Sequence, residues 1–195
     1  LATIAVLTAG CAKNEISIER HDGYTIVSQT RGPKLGYSET SGVIILNIDG
    51  FAFKDLDKDG ELDIYEDWRR PVSERAEDLA AQLPIERICG LMLYSSAVDA
   101  MTAELTTKQA GYLKDDYIRH MLVRNIADAA TGAAWSNKVQ AFCEAEPFGI
   151  PSNNSSDPRN YTNGQANTNT YQPEPDGEFD PDGTSKISLW PREVG

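Results

Sequence analysis

Histidine is nearly missing from this sequence, which has only His21 and His120, far apart, and cysteine is scarce, with three residues. There is no C-x-x-C pair and no His/Cys grouping at ligand spacing, which excludes the usual zinc sites and a dense disulfide framework. Basic residues are the minority: 18 Lys and Arg stand against 30 Asp and Glu, for a formal net charge of −12 and a pI near 4.6. That balance argues against nucleic acid and anionic membrane surfaces as partners, since both need a positive face. Beyond the first eleven residues no apolar run is long enough to cross a bilayer. A length of 195 residues, 40% hydrophobic content and a mean hydropathy of −0.44 suit one soluble domain, or one domain with an appendage.

Acid is concentrated in one stretch, Asp55-Leu56-Asp57-Lys58-Asp59-Gly60-Glu61-Leu62-Asp63-Ile64-Tyr65-Glu66, which fits the calcium-loop pattern D-x-[DN]-x-[DN]-G-x5-E at every specified position. Ca2+ takes six to eight oxygen ligands. Asp55, Asp57 and Asp59 would supply carboxylates at alternate positions, Glu61 its backbone carbonyl, Asp63 a direct or water-mediated contact, and Glu66 both oxygens. Gly60 permits the sharp turn, and Leu62 fills the apolar slot that pins the loop. The alternative is an acidic, solvated turn. A sensor EF-hand needs a helix on each side and usually a paired loop. Here a β-branched run, Val43-Ile44-Ile45-Leu46, and an Asp49-Gly50 turn precede the stretch, Pro71 interrupts soon after it, and no second loop exists. The expectation is a solitary structural clip, not a switch, that fixes the start of a following helix.

Residues 1–11 are apolar and end in small residues and Cys11, before an abrupt polar turn at Ala12-Lys13-Asn14-Glu15. This pattern suits the end of a bacterial secretory signal with lipidation at Cys11; the alternative is a buried N-terminal strand with a free thiol. Residues 12–41 read as a tether and cap, with Tyr24-Thr25-Ile26-Val27 a short strand. Residues 42–70 hold a strand and the acidic loop. From Pro71, the residues Val72, Ala76, Leu79, Ala80 and Leu83 fall on one helical face, and Pro84 breaks the helix. Ile85, Ile88, Cys89 and Met92 give a second short face, while Leu91-Met92-Leu93-Tyr94 also reads as a strand. Tyr117 to Arg124 suits a strand. Residues 127–146 suit a helix with Trp135, Val139, Phe142 and Cys143 on one side, ended by Pro147 and Gly149. Cys89 and Cys143 are expected to be buried free thiols, with a disulfide left open. The polar run from Ile150 to Asn160 is either a strand that delivers side chains to a site or a plain loop. Residues 161–188 hold little that could form a core, as in a functional loop or disorder.

Taken together, Phe53-Lys54-Asp55-Leu56-Asp57-Lys58-Asp59-Gly60, Tyr65-Glu66-Asp67-Trp68-Arg69, Pro71-Val72-Ser73-Glu74-Arg75, Val139-Gln140-Ala141-Phe142, Phe148-Gly149-Ile150-Pro151, Ser156-Asp157-Pro158-Arg159 and Trp190-Pro191-Arg192-Glu193-Val194-Gly195 resemble, in order, the amino-terminal part of glycoside hydrolase family 3. More narrowly, the chain is similar to the β-glucosidase-like lipoproteins that carry a calcium loop. The resemblance implies an α/β fold, a (β/α)8 TIM-type barrel of which residues 71–195 supply the first strand–helix units. Sites of such barrels lie at the carboxyl ends of the strands. It implies that Asp157 hydrogen-bonds sugar hydroxyls of a β-linked oligosaccharide or glycoside, with Arg159 a weaker neighbour. Relatives often carry His where Asn160 stands.

The activity implied is retaining, exo-acting β-glycoside hydrolysis, which needs a nucleophile and an acid/base roughly 5–5.5 Å apart. In the family both come from later regions, so no acidic residue here is expected to be catalytic. The expectation is a chain truncated at both ends and inert alone, exported to the periplasm or cell surface and held at the outer membrane only by its lipid. Two rival classes remain: a calcium-stabilised surface glycan-binding lipoprotein without catalysis, and, ranked last, a dockerin-like assembly module.

Overall fold

The computed structural model describes residues 13–156. Among these residues, three small sheets, four α-helices and a short 3-10 helix (Pro147–Gly149) follow one another. The first sheet is antiparallel, with β1 (Ile16–His21), β2 (Tyr24–Gln29) and β3 (Leu35–Ser38) in that order. Only one strand is expected here from the sequence. The missed strands are short, and β1 is mostly solvent-facing, so its brief alternation at Ile16 and Ile18 gives little signal. β2 does alternate, burying Thr25, Val27 and Gln29.

A second hairpin joins β4 (Ile44–Ile48) to β5 (Phe51–Asp55). Its two turn residues, Asp49 and Gly50, both have positive φ, 53° and 79°. Tight hairpins require that sign, and Asp-Gly supplies it at low cost. The Gln29 side chain joins the two sheets: its Oε1 accepts from Ala52 N at 3.1 Å and its Nε2 donates to Ala52 O at 3.2 Å.

Two helices follow, α1 (Val72–Gln82) and α2 (Ile85–Leu91), each starting after a proline. The apolar edge of α1 is not sealed: Val72 is 77% exposed, and Leu56, Tyr65, Ala76 and Leu79 line an open cleft beside it. Cys89 is exposed, against the expectation of burial; α2 is short and turns only Gly90 fully inward, where a Cβ would collide with the Asp116 carbonyl oxygen.

The third sheet is parallel, in the order β6 (Val98–Ala100), β7 (His120–Ile126) and β8 (Asn153–Ser156). α3 (Thr107–Lys114) connects the first pair and α4 (Ala129–Ala145) the second, which is the strand–helix–strand arrangement parallel pairing demands. A capping box of Thr106 and Gln109 starts α3, and Asp128 caps α4 by accepting from Thr131 N at 2.8 Å. Val98, Ala100, Leu113, Met121, Val123, Trp135, Val139 and Cys143 form the buried core between this sheet and its helices. Trp135, Val139 and Cys143 are spaced by four residues, so one face of α4 fills it.

Candidate functional site

The acidic loop leaves the buried end of β5. Asp55 is fully buried, and its position is fixed by two backbone donors: Lys58 N to Oδ1 at 2.7 Å and Gly60 N to Oδ2 at 3.0 Å. Asp57 Oδ1 accepts from Asp59 N at 3.3 Å, and Asp59 Oδ1 from Glu61 N at 2.8 Å. Lys58 and Gly60 take left-handed φ values of 71° and 87°, which wrap the chain tightly enough for the carboxylates to converge. Asp55, Asp57 and Asp59 thereby bring one oxygen each within 4.8 Å of one another.

The second half of the loop is arranged differently. Glu66 Oε1 accepts from Leu56 N at 2.5 Å and Asp57 N at 3.4 Å, and Oε2 accepts from Asp63 N at 3.2 Å. Asp63 Oδ2 accepts from Gln82 Nε2 at 3.2 Å, and Glu61 is exposed. Of the six residues expected as ligands, three converge and Glu66 laces the loop shut through backbone N–H groups. Negative charge is concentrated here. Burial and then the charges of Asp59, Asp63 and Asp55 push the Asp57 carboxyl up, against the backbone bond from Asp59. Burial likewise pushes Glu66 up. Tyr65 is 4% exposed and its hydroxyl finds no hydrogen bond of good geometry among the described residues; burial and the Glu66 charge hold it protonated. A set of converging carboxylate oxygens suits a hard cation such as Ca2+ better than a soft one.

The loop's exit is fastened to α1. Tyr65 N donates to Asp78 Oδ2 at 3.0 Å, and Arg75 Nε to Tyr65 O at 2.9 Å. Next, Arg69 grips Asp67 through Nε and Nη2, both at 2.8 Å, which holds the Asp67 carboxyl below its ordinary range. Trp68 stacks on Phe53 at 5.3 Å and donates Nε1–H to Ala52 O at 3.0 Å. A strand precedes the loop and a helix follows it, so no helix pair brackets it.

At the other end of the described chain lies the polar strand. β8 pairs with β7 from His120↔Asn153 to Val123↔Ser156. Of the stretch from Ile150 to Asn160, which the sequence leaves open between strand and loop, Asn153–Ser156 is a strand and residues 157–160 lie outside the described residues. Its polar side chains have partners: Asn154 Nδ2 donates to Ser136 Oγ at 3.1 Å, and Ser152 Oγ donates to Arg119 O at 3.1 Å. Gln140 clasps Ser152 from both sides, accepting from its N–H at 3.1 Å and donating to its carbonyl at 2.7 Å. A cleft of about 210 Å3 opens beside Ala100, Ile126, Trp135, Ser136 and Asn154. Asp157 and Arg159 follow β8 directly and lie outside the described residues, as does Cys11.

Two groups escape the sequence reading. Lys58 occupies an unspecified position of the loop pattern, yet its ammonium reaches the end of α4. Arg119 is buried and spends its guanidinium on the carbonyls of Leu113, Ile118 and Ile150. Nothing in a linear pattern separates either from an ordinary surface cation.

No known family model matches the chain. A stretch of 128 residues is 37% identical to the periplasmic beta-glucosidase/beta-xylosidase of Dickeya chrysanthemi, a match covering 62% of this chain and 20% of that protein. The chain thus spans only about a fifth of that relative's length.

Proposed function

We propose that the protein carrying this chain is a retaining, exo-acting β-glycosidase of glycoside hydrolase family 3, acting on β-linked oligosaccharides or glycosides. The observation that carries this reading is the 37% identity over 128 residues to a protein named for β-glucosidase and β-xylosidase activity. The alternation β6–α3–β7–α4–β8 with parallel pairing supports it, because that is how a (β/α)8 barrel begins. In this reading Asp157, one residue beyond the carboxyl end of β8, hydrogen-bonds sugar hydroxyls, and Arg159 assists it. We assign neither the nucleophile nor the acid/base to an acidic residue of this chain. The relative's periplasmic name supports export, with Cys11 as the lipid-bearing residue of an outer-membrane anchor.

In the same proposal the acidic loop holds one structural Ca2+. Asp55, Asp57 and Asp59, whose carboxylates converge, would hold it, together with the Glu61 carbonyl, Asp63 and Glu66. Bound there, the ion supplies positive charge that offsets the crowded carboxylates. The chain's own part is to hold those oxygens in a preformed turn.

The test is hydrolysis of aryl β-glucosides and β-xylosides by the full-length protein, with the first-formed anomer read by NMR. Release of the β-anomer supports the reading. Asp157→Asn should lower kcat/KM by on the order of 10–100-fold, the loss expected for one hydrogen bond to a charged group. Binding of β-glycans without any hydrolysis would replace it with the glycan-binding alternative.

A further inference from the structure

We infer that Lys58 ties the acidic loop and the carboxyl end of α4 into one cooperative unit, while the Glu144 side chain fastens the same helix end to β5 and β3, so that order in the loop is passed on to the segment that leads into β8. The last carbonyls of a helix lack intrahelical partners and carry the negative end of its dipole. α4 has no basic residue in its own last turn. The missing cation arrives from the loop. Lys58 Nζ lies 3.2 Å from Glu144 O, 3.4 Å from Ala145 O and 3.3 Å from Glu146 O, and 3.1 Å from Leu56 O within the loop. The backbone of Lys58 is set by the loop, through its left-handed φ of 71° and its N–H bond to Asp55 Oδ1 at 2.7 Å. Where the loop places Lys58 decides whether its ammonium meets those carbonyls.

Glu144 adds a second tie. Its Oε1 accepts Lys54 Nζ at 2.5 Å, and its Oε2 accepts Ser38 N at 2.7 Å. A third contact lies just beyond the helix. Gly149 sits so close to Leu56 that a Cβ there would come within 2.9 Å of Leu56 Cδ2. The same stretch of chain reaches Ser152, which Gln140 of α4 holds at both backbone groups. The path therefore runs from Asp55 through Lys58 to α4, and through Leu56 and Gly149 to the start of β8. Its calcium-dependent part rests on the metal reading above; the mechanical tie does not.

Hydrogen exchange measured by mass spectrometry on the full-length protein, with and without Ca2+, separates the two. Without calcium, Lys58→Met should speed exchange in peptides from residues 55–66 and 138–152 by about tenfold, the change expected for one lost charge-assisted hydrogen bond. Peptides of α3 should keep their rates, and Lys58→Arg, which retains the charge, should stay near wild type. With calcium, the wild type should slow in both peptides, and Lys58→Met only in the loop. Unchanged exchange at 138–152 in Lys58→Met without calcium would overturn the tie, as would equal calcium protection there in variant and wild type. If calcium slows neither peptide in the wild type, the metal reading fails and the calcium-free comparison still decides the tie.

Discussion

Glu144 accepts the Lys54 ammonium at 2.5 Å across 90 residues of sequence, and both side chains are mostly shielded from solvent. The pair joins the hairpin to α4. Glu144→Gln keeps an acceptor for Ser38 N but loses the charge, and should destabilise the protein by about 1–2 kcal/mol. A double-mutant cycle with Lys54→Met, followed by urea unfolding, should give a coupling of about 1 kcal/mol, since part of the pair still sees water. A coupling near zero would reduce the contact to incidental proximity.

Calcium should raise the melting temperature if the loop binds it. At a concentration one hundredfold above Kd the added stability is about 2.7 kcal/mol, and a chelator should remove it. Asp59→Asn should weaken the effect while leaving the apo fold intact, because Asp59 is exposed and its side chain accepts from Glu61 N through Oδ1, an acceptor that Asn retains. Asp55→Asn is the wrong probe: Asp55 is buried and organises the turn, so its loss would confuse binding with folding. Calorimetric titration with no heat, together with no thermal shift, would dismiss the metal.

The two described cysteines should differ sharply toward a thiol reagent at pH 7. Cys89 is exposed and should react at once. Cys143 is buried, and that burial pushes its thiol up to about 11, so it should react only on unfolding. Peptide mapping of the labelled sites checks this. Fast labelling of Cys143 in the native protein would mean that α4 opens locally.

Gly149→Ala should cost about 1–3 kcal/mol, because the residue combines a φ of +55° with the close approach to Leu56. Thermal unfolding of the variant measures it. Gly50→Ala offers a control, since its φ is +79° but a Cβ there meets nothing within 4 Å. It should lose only the smaller, backbone part.

What the sequence makes legible follows from how local each signal is. The acidic loop is a local pattern, and Asp55, Asp57 and Asp59 do converge. The buried face of α4 is legible because Trp135, Val139 and Cys143 repeat at helical spacing. β1 and β3 are not, because each offers only two apolar residues in alternation, Ile16 and Ile18 or Leu35 and Tyr37, too few to stand out from the polar, glycine-containing stretch around them. The burial expected for Cys89 fails for a similar reason: a seven-residue helix shows a periodic face whether or not anything covers it. The polar stretch at Asn153 and Asn154 is undecided in one dimension, since its partners, His120 and Ser136, come from elsewhere. Lys58 is the clearest case. Its role exists only once α4 is in place, 86 to 88 residues later.

The two-residue turn at Asp49 and Gly50 sets an order of events in time. A hairpin with so short a connection closes in roughly 1–10 μs, before any contact distant in sequence can form. The contact from Lys58 to α4 spans 86 residues of sequence and forms later in folding. The protein would thus pass through a stage in which the loop is shaped but unfastened, and the docking of α4 completes it.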